Sequence, residues 1–577
     1  MQVPPQDPQT DQTGPRAAGA SALVPGASRL ALSRRNLLGL AAAMGGGLAV
    51  GPLLTACSSD ADPASPAPGA VAPTGGTLTV GIASTPDTLD PGATGLALTL
   101  LISMAVFDPL VWWLPTDDGK GEFVPGLAKS YKVSADASVY TFVLRDDVVF
   151  HDGTKFDAKA VKATYDHVVD PATKSKSGLG ALGPYKQTKI IDDHTVEISF
   201  EEPNAGFLHQ QAAGNFGIAS PTALEKYGPT GFGNNPVGSG PFKFDSYATG
   251  DRLTLVKNPD YAWGPAVLGS GPAKLDQLVF RIVADDSGRY NALQSGQLQV
   301  AMNLPPNSIA AAQKTQKYTQ LTIPAIGTPS GMPINVAKPP TDDPLVRQAI
   351  MFAVDQEKLV TAVQFGVNKA AHNVLTPITP GYSQAASATY AYDPAKAGQL
   401  LDQAGWVMGP DKVRTKNGEK LELKIILFSG GGFELPTQFI VSQLAAVGFA
   451  ASTTVQPFTA AQVAYNAGDH NLGSFGYYGA DPYLLNIWVN SAAIESGFNW
   501  SHYDNPAVDK MIAQANATAD EAARNALYEK VGQTLMTDAI YLPLWDVNGA
   551  FTTPTDVQGL HPTFNGYITF HSATAGS

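Results

Sequence analysis

Apolar and polar positions alternate from Gly76 onward: Leu78, Val80 and Ile82 fall on one side, Thr77, Thr79 and Gly81 on the other, which predicts a strand with one buried face. The same alternation returns at Tyr140-Thr141-Phe142-Val143-Leu144-Arg145 and runs on through Val148 and Phe150 to Asp152-Gly153, predicting a hairpin there. The spacing then changes to helical intervals: Asp157 is placed to cap a helix that buries Val161, Tyr165 and Val168. Phe242 and Phe244, then Leu253 and Leu255, alternate across a Gly250-Asp251 turn. Asp343-Pro344 combines an N-cap with proline at the first helical position and opens a helix through Val346, Ile350 and Val354. A further helix runs from about Asp520 to Asp538 with Leu527, Val531 and Leu535 on one face, and Pro543 closes that region. Strands and helices mix without repeats or heptads, so an α/β chain of several lobes follows.

The amino terminus follows a different rule. Residues 1–32 are rich in Pro, Gln, Gly and Ala and carry no hydrophobic period, so they lack the apolar surface that folding needs. Ser33-Arg34-Arg35-Asn36 then introduces an apolar run from Leu37 that ends at Leu54-Thr55-Ala56-Cys57. A basic start, an apolar middle and small residues before the break read as a secretory signal. The paired arginines resemble the twin-arginine export signal, and Leu-Thr-Ala-Cys resembles the bacterial lipobox, whose cysteine is lipidated and becomes the new terminus. A membrane-spanning anchor from Leu37 is the competing reading; the run is of marginal length, and Gly39, Gly45, Gly46, Gly47 and Gly51 weaken it as a continuous helix. The division is therefore 1–56 signal, then 57–75 lipidated Cys57 and a polar, proline-rich tether.

Composition narrows the function. At ~150 residues per domain, 577 residues exclude a single small module. The 37 Lys and Arg against 50 Asp and Glu leave a net charge of −13 with no basic stripe, which argues against nucleic acid, since phosphate affinity needs clustered cations. One cysteine in the whole chain forbids an internal disulfide and a CxxC pair. No GxSxG elbow, HExxH pair, GxxxxGK[ST] loop or EF-hand loop occurs. His151-Asp152-Gly153 reads as local hydrogen bonding at a turn, and Asp117, Asp118 and Glu122 as a solvated loop rather than a cation site. An enzyme survives only as an exported hydrolase assembled from distant residues.

Ordered blocks then point to a family. Phe107-Asp108-Pro109-Leu110 is followed by Pro125-Gly126-Leu127-Ala128-Lys129-Ser130-Tyr131, by the segment Tyr140 to Tyr165, and by Pro236-Val237-Gly238-Ser239-Gly240-Pro241-Phe242. Next come Asn258-Pro259-Asp260-Tyr261, Asp343-Pro344-Leu345-Val346-Arg347-Gln348-Ala349-Ile350, Tyr392-Asp393-Pro394-Ala395-Lys396-Ala397, Ala404-Gly405-Trp406 and Leu542-Pro543-Leu544. From about Gly76 to about Leu560 the chain resembles bacterial extracellular solute-binding protein family 5, the substrate-binding lipoproteins of peptide, dipeptide and nickel-type ABC importers. The resemblance implies an α/β, two-lobed periplasmic-binding-protein-like fold (type II) with an extra subdomain in the first lobe. Lobe I would span 76–331, with the subdomain at about 112–236, lobe II 332–543, and 544–577 would return to lobe I.

By the same resemblance the lobes shut about a hinge on a small solute, a peptide before a nickel chelate or an oligosaccharide, and the loaded monomer meets a membrane permease. No cofactor, metal or chemistry on the ligand is implied. The third reading, a surface adhesin or sensor on the same fold, would bind ligand without a permease. Gly473-Ser474-Phe475-Gly476-Tyr477-Tyr478-Gly479-Ala480-Asp481-Pro482 is the richest candidate for the cleft wall. In peptide binders of the family a carboxylate here pairs with the ligand's amino group. Two alignments are open: one puts that position on Tyr478, the other leaves it on Asp481, and Asp481 also reads as a plain N-cap before Pro482. Trp112-Trp113 would bring one indole to the cleft and one to the core, with Trp112 taken for the cleft; Asn335 offers its amide either to the ligand or to the hinge backbone. Leu89-Asp90-Pro91 leads toward the cleft floor or forms a simple loop, and Trp488 packs the helix that follows Asp481.

Overall fold

Leu78, Val80 and Ile82 are fully buried in strand Thr77–Ile82 of the computed structural model, which describes residues 75–575 except 117–120, 270, 325, 480, 496, 547 and 565. The residues read above as an export signal and tether, Cys57 among them, and Asp117 and Asp118 lie outside the described residues. Thr77–Ile82 is central in a seven-stranded sheet whose order is Tyr318–Pro324, Asn548–Pro554, Val300–Met302, Thr77–Ile82, Gln277–Ile282, Arg252–Lys257, Phe242–Ala248. It pairs in parallel with both neighbours, which demands long crossovers, and the outer pairs are antiparallel. Phe242–Ala248 and Arg252–Lys257 form the hairpin expected across Gly250-Asp251.

A second body is built on the fully parallel pairs of Glu422–Phe428 with Ala450–Gln456 and Leu472–Gly473, linked by helices Glu434–Ala446 and Phe458–Asn466. A third is a four-stranded antiparallel sheet in the order Ala128–Val133, Val139–Leu144, Thr195–Phe200, Tyr185–Asp192, covered by helix Ala158–Val169. Each has its own apolar core: Leu78 and Phe280 in the first, Ile425 and Leu535 in the second, Phe142 and Tyr165 in the third. These are lobe I, lobe II and the inserted subdomain.

The expected caps are present. Asp157 accepts from the Lys159 and Ala160 amides, Asp343 from Leu345 and Asp520 from Ala523. The hairpin expected from Tyr140 to Phe150 is different. Val139–Leu144 forms its hairpin with the strand before it, Ala128–Val133, and spends its other edge on the distant Thr195–Phe200, so the Asp152-Gly153 turn closes only a bridge between Val149 and Lys155. Arg145 pairs with Asp147 just after the strand, so the chain is charged and turning where the alternation alone would carry it on.

The chain passes between lobes twice. It leaves the large sheet at Pro324 and enters Gly327–Pro333, and it returns from Tyr541–Trp545 into Asn548–Pro554. Gly327–Pro333 lies between Phe475–Tyr478 and Tyr541–Trp545 in a small sheet. A Cβ on Gly331 would meet the Tyr541 ring at 2.6 Å, so only glycine lets these crossing strands lie this close.

Asp546 sits on the return crossing, its N–H donating to the Lys369 carbonyl at 2.9 Å. Burial pushes its carboxyl up to about 6, against the opposing pull of Lys369 and His372. A carboxyl whose folded value is raised costs stability as pH climbs from ~4 to ~6, and the cost is complete above that window. Asp546→Asn is therefore expected to stabilise the protein by about 1–2 kcal/mol at pH 7.5, after discounting for partial exposure, and by nothing near pH 4. Thermal melts at the two pH values check this, and an Asn variant no more stable than wild type at pH 7.5 would contradict it.

Candidate functional site

Asp481 begins as an N-cap. Its Oδ1 accepts from the Tyr483 amide at 2.8 Å, opening the short turn Pro482–Leu484. The same carboxylate receives both Nη groups of Arg524, Nη1 reaching Oδ2 at 2.7 Å, from the first turn of helix Glu521–Thr537. Both side chains are buried, so the pair stands in a low-dielectric setting where a broken partner is costly. Burial by itself would raise the Asp481 carboxyl, but the Arg524 guanidinium and His209 hold it well below the usual carboxylate range. Burial likewise opposes the Arg524 charge, and Asp481 more than offsets that.

The third member comes from the subdomain. Helix Phe207–Gln211 sets His209 Nδ1 3.1 Å from Asp481 Oδ2, so the contact spans the two lobes. Burial holds the His209 imidazole below its ordinary value, with Asp481 pulling the other way. Gly206 lets the backbone come this near, since a Cβ there would meet Asp481 Oδ1 at 2.7 Å. One residue earlier, the Ala205 N–H donates across the interface to the Asn516 carbonyl at 3.0 Å.

An aromatic wall covers this cluster. The Trp113 ring lies 3.6 Å from the His209 ring, centroid to centroid, with Phe123 on His209 at 4.8 Å and Phe564 on Trp113 at 5.4 Å. Beyond the wall opens a cavity of about 400 Å³, lined by Pro115, residues 320–323, Ile378, Thr563 and Phe564. Strand Tyr318–Pro324 belongs to lobe I, whereas Ile378 is tied to lobe II next to Thr379, whose hydroxyl accepts from the Gly327 amide at 3.0 Å. The cavity therefore draws walls from both lobes at the first crossing.

The anticipated residues are spread over this interface. Trp112 is the core member of its pair, 3 % exposed in the lobe I cluster, and the neighbouring Trp113 is the indole that reaches His209 and Phe564. Alternation along Val111–Pro115 requires such a split, but it cannot say which ring faces which way. Asn335 spends its amide on the backbone: Nδ2 donates to the Gly468 and His470 carbonyls and Oδ1 accepts from Ala337. Tyr477 is half-buried, stacked on Phe475 at 6.3 Å and against Phe498 at 6.2 Å. The Tyr478 backbone pairs with Gly327, and its side chain lies outside the described residues. Trp488 is core, between Phe475 and Tyr541. Asp90 binds His167 at 2.6 Å and the Gly92 amide, the loop reading of that segment. His151 gives its Nε2 to the Gly240 carbonyl at 3.0 Å, and burial lowers it to about 4.

His209, Arg524 and Phe564 are not singled out by the sequence, and Trp113 is only as one member of a pair whose other ring is assigned to the cleft. Arg524 sits in a first turn, where a basic residue opposes the helix dipole, and that misfit is the one local sign of a buried partner. Among the described residues no group of three His, Cys, Asp or Glu is arranged to hold a metal, and no helix is long and apolar enough to cross a membrane.

Comparison with known proteins bears on this geometry. The family model described as "Bacterial extracellular solute-binding proteins, family 5 Middle" matches residues 122–496. The glutathione-binding protein GsiB of Shigella dysenteriae is 32% identical over 427 residues, 72% of this chain and 79% of that protein. The GsiB of Escherichia coli K12 is 31% identical over the same length. Among solved structures, the ABC transporter-associated periplasmic binding protein DppA of Helicobacter pylori, in complex with the peptide STSA, superimposes with a TM-score of 0.70 at 26% identity, covering 88% of this chain and 99% of that one. NikA of Brucella suis, in complex with Fe(III)-EDTA, shares the fold at a TM-score of 0.76 and 24% identity, over 86% and 99% of the two chains. Two lobes joined by two crossing strands, an inserted antiparallel subdomain and a family match across most of the folded chain agree, and the chain belongs to family 5 of the bacterial extracellular solute-binding proteins, the receptors of ABC importers.

Proposed function

We propose that this chain is exported through its 1–56 signal, held at the outer face of the membrane by lipid on Cys57, and encloses a short peptide between its lobes as a monomer. It passes the peptide unaltered to its permease. The observation that carries the reading is the cavity of about 400 Å³ walled by both lobes at a crossing strand, within the ~300–1,000 Å³ range of small-molecule sites. Among the described residues strand Phe475–Tyr478 pairs only with Gly327–Pro333, and its other edge suits an extended backbone. Tyr477, half-buried beside Phe475, supplies aromatic surface there. GsiB is named for glutathione and DppA was solved with a tetrapeptide, and both ligands have peptide bonds.

Ligand that binds only the native state must raise the melting temperature. Full-length protein in detergent, screened with di- to tetrapeptides, maltotriose and nickel–histidine, is expected to shift by several degrees with peptides alone and to return them intact by mass spectrometry. Shifts confined to the sugar or the chelate, no shift at all, or cleaved peptide would each overturn the proposal.

A further inference from the structure

The two ends of the interface differ in chemistry. At one end stands a carboxylate, Asp481, with both oxygens engaged by Arg524 and one also beside His209 at 3.1 Å. At the other end stands the cavity, whose lining is apolar at Pro115, Leu321, Ile323, Ile378, Pro562 and Phe564 and otherwise uncharged. Between them lie the contacting rings of Phe564, Trp113 and His209. An ammonium group seeking Asp481 would have to pass this wall and displace a buried guanidinium that already fills the same lone pairs bidentately.

We infer that the receptor is blind to its ligand's amino terminus: Arg524 and His209 withdraw Asp481 into a lobe-to-lobe contact, and the cavity selects a neutral, apolar portion of the solute. Selection then comes from removing apolar surface from water, with one polar fix. Gln320 is placed to give that fix. Its Oε1 accepts from the Thr552 hydroxyl, and its Nε2, buried and without a partner among the described residues, meets a ligand carbonyl once the side chain turns toward the cavity. A solute whose amine is acylated or cyclised fits this site as well as one whose amine is free.

The inference borrows its peptides from the proposed function but not its cavity, so the test carries a non-peptide probe. Binding of N-phenyl-1-naphthylamine, a neutral apolar fluorophore, to the full-length protein is followed by fluorescence. It is then displaced with phenylalanyl-alanyl-phenylalanine and with the N-acetyl form of the same tripeptide. The two tripeptides are expected to bind within threefold of one another. The free form is expected to keep its affinity from pH 7 to 9.5, across the α-amino value of about 7.7–8.0. Asp481, held low, and Arg524, held high, keep their charges over that interval. Thr322→Trp on the exposed edge strand, and separately Ile378→Trp on the opposite lobe, should each weaken the fluorophore more than tenfold with an unchanged melting temperature. A tenfold preference for the free amine that fades as pH rises would overturn the inference, as would a fluorophore that does not bind or that ignores both tryptophans. Fluorophore bound and blocked by the tryptophans, with neither tripeptide displacing it, would uphold the neutral cavity and sink the peptide reading instead.

Discussion

Arg524→Met is expected to cost about 3–5 kcal/mol of stability, since it leaves Asp481 as a buried carboxylate without its compensating charge. Met keeps much of the length and apolar stem of Arg, so the loss measures charge and hydrogen bonding rather than a cavity. The sign of the pH dependence identifies the cause. In the wild type Asp481 is held low, so its contribution is complete above its unfolded value near 4 and is lost as pH falls through the still lower folded value. In the variant, burial remains without the guanidinium, the carboxyl rises, and protonation relieves the penalty. The deficit should therefore shrink between pH 7 and pH 4. Pairing the change with Asp481→Leu should return most of the loss, because two apolar side chains leave nothing charged behind. Melts of the wild type and both variants at the two pH values decide the matter; a single Met variant within about 1 kcal/mol of wild type at pH 7 would contradict the account.

Asp108→Ala is the second large effect, expected at roughly 3–6 kcal/mol. Asp108 is 1 % exposed and accepts from the Ser239 hydroxyl at 2.8 Å, the Tyr261 hydroxyl at 2.9 Å and the Trp263 indole at 3.0 Å. Burial raises its carboxyl, and the three donors oppose that rise. Removing the acceptor strands three buried donors, each costing ~1–3 kcal/mol. Trp263 should report the change directly, through a shift in its fluorescence maximum as its indole N–H finds water. Asp108→Asn keeps one acceptor oxygen and should lose about half as much. A stable Ala variant with unchanged tryptophan emission would mean that the three bonds contribute little.

Asp108 also ties together separate blocks of the sequence that carry the family resemblance. Phe107-Asp108-Pro109-Leu110, the turn holding Ser239 and the Asn258-Pro259-Asp260-Tyr261 run look like isolated turns when read along the chain. In the structure they are one knot, with Asn258 adding a bond to the Gly240 carbonyl at 3.1 Å. Their spacing in sequence carries no sign of this, because hydrogen bonds between residues 131 and 153 positions apart obey no local period. The resemblance detected the pattern without its reason.

Helix caps and buried faces were legible because they are set within one turn: Asp157, Asp343 and Asp520 cap through their own neighbours, and Val161, Tyr165 and Val168 return at helical intervals. The α/β class and the alternation of Leu78, Val80 and Ile82 follow from the same short-range geometry. What lay beyond that range came from tertiary structure. Whether Trp112 or Trp113 turned inward depended on which sheet face met the lobe I core. Whether Asp481 stood open to a ligand depended on Arg524, 43 residues later, and on His209 from the other lobe. A side chain's conformation is a local matter, but its charge environment is summed over everything that folds against it, and that sum exists only once the lobes have met.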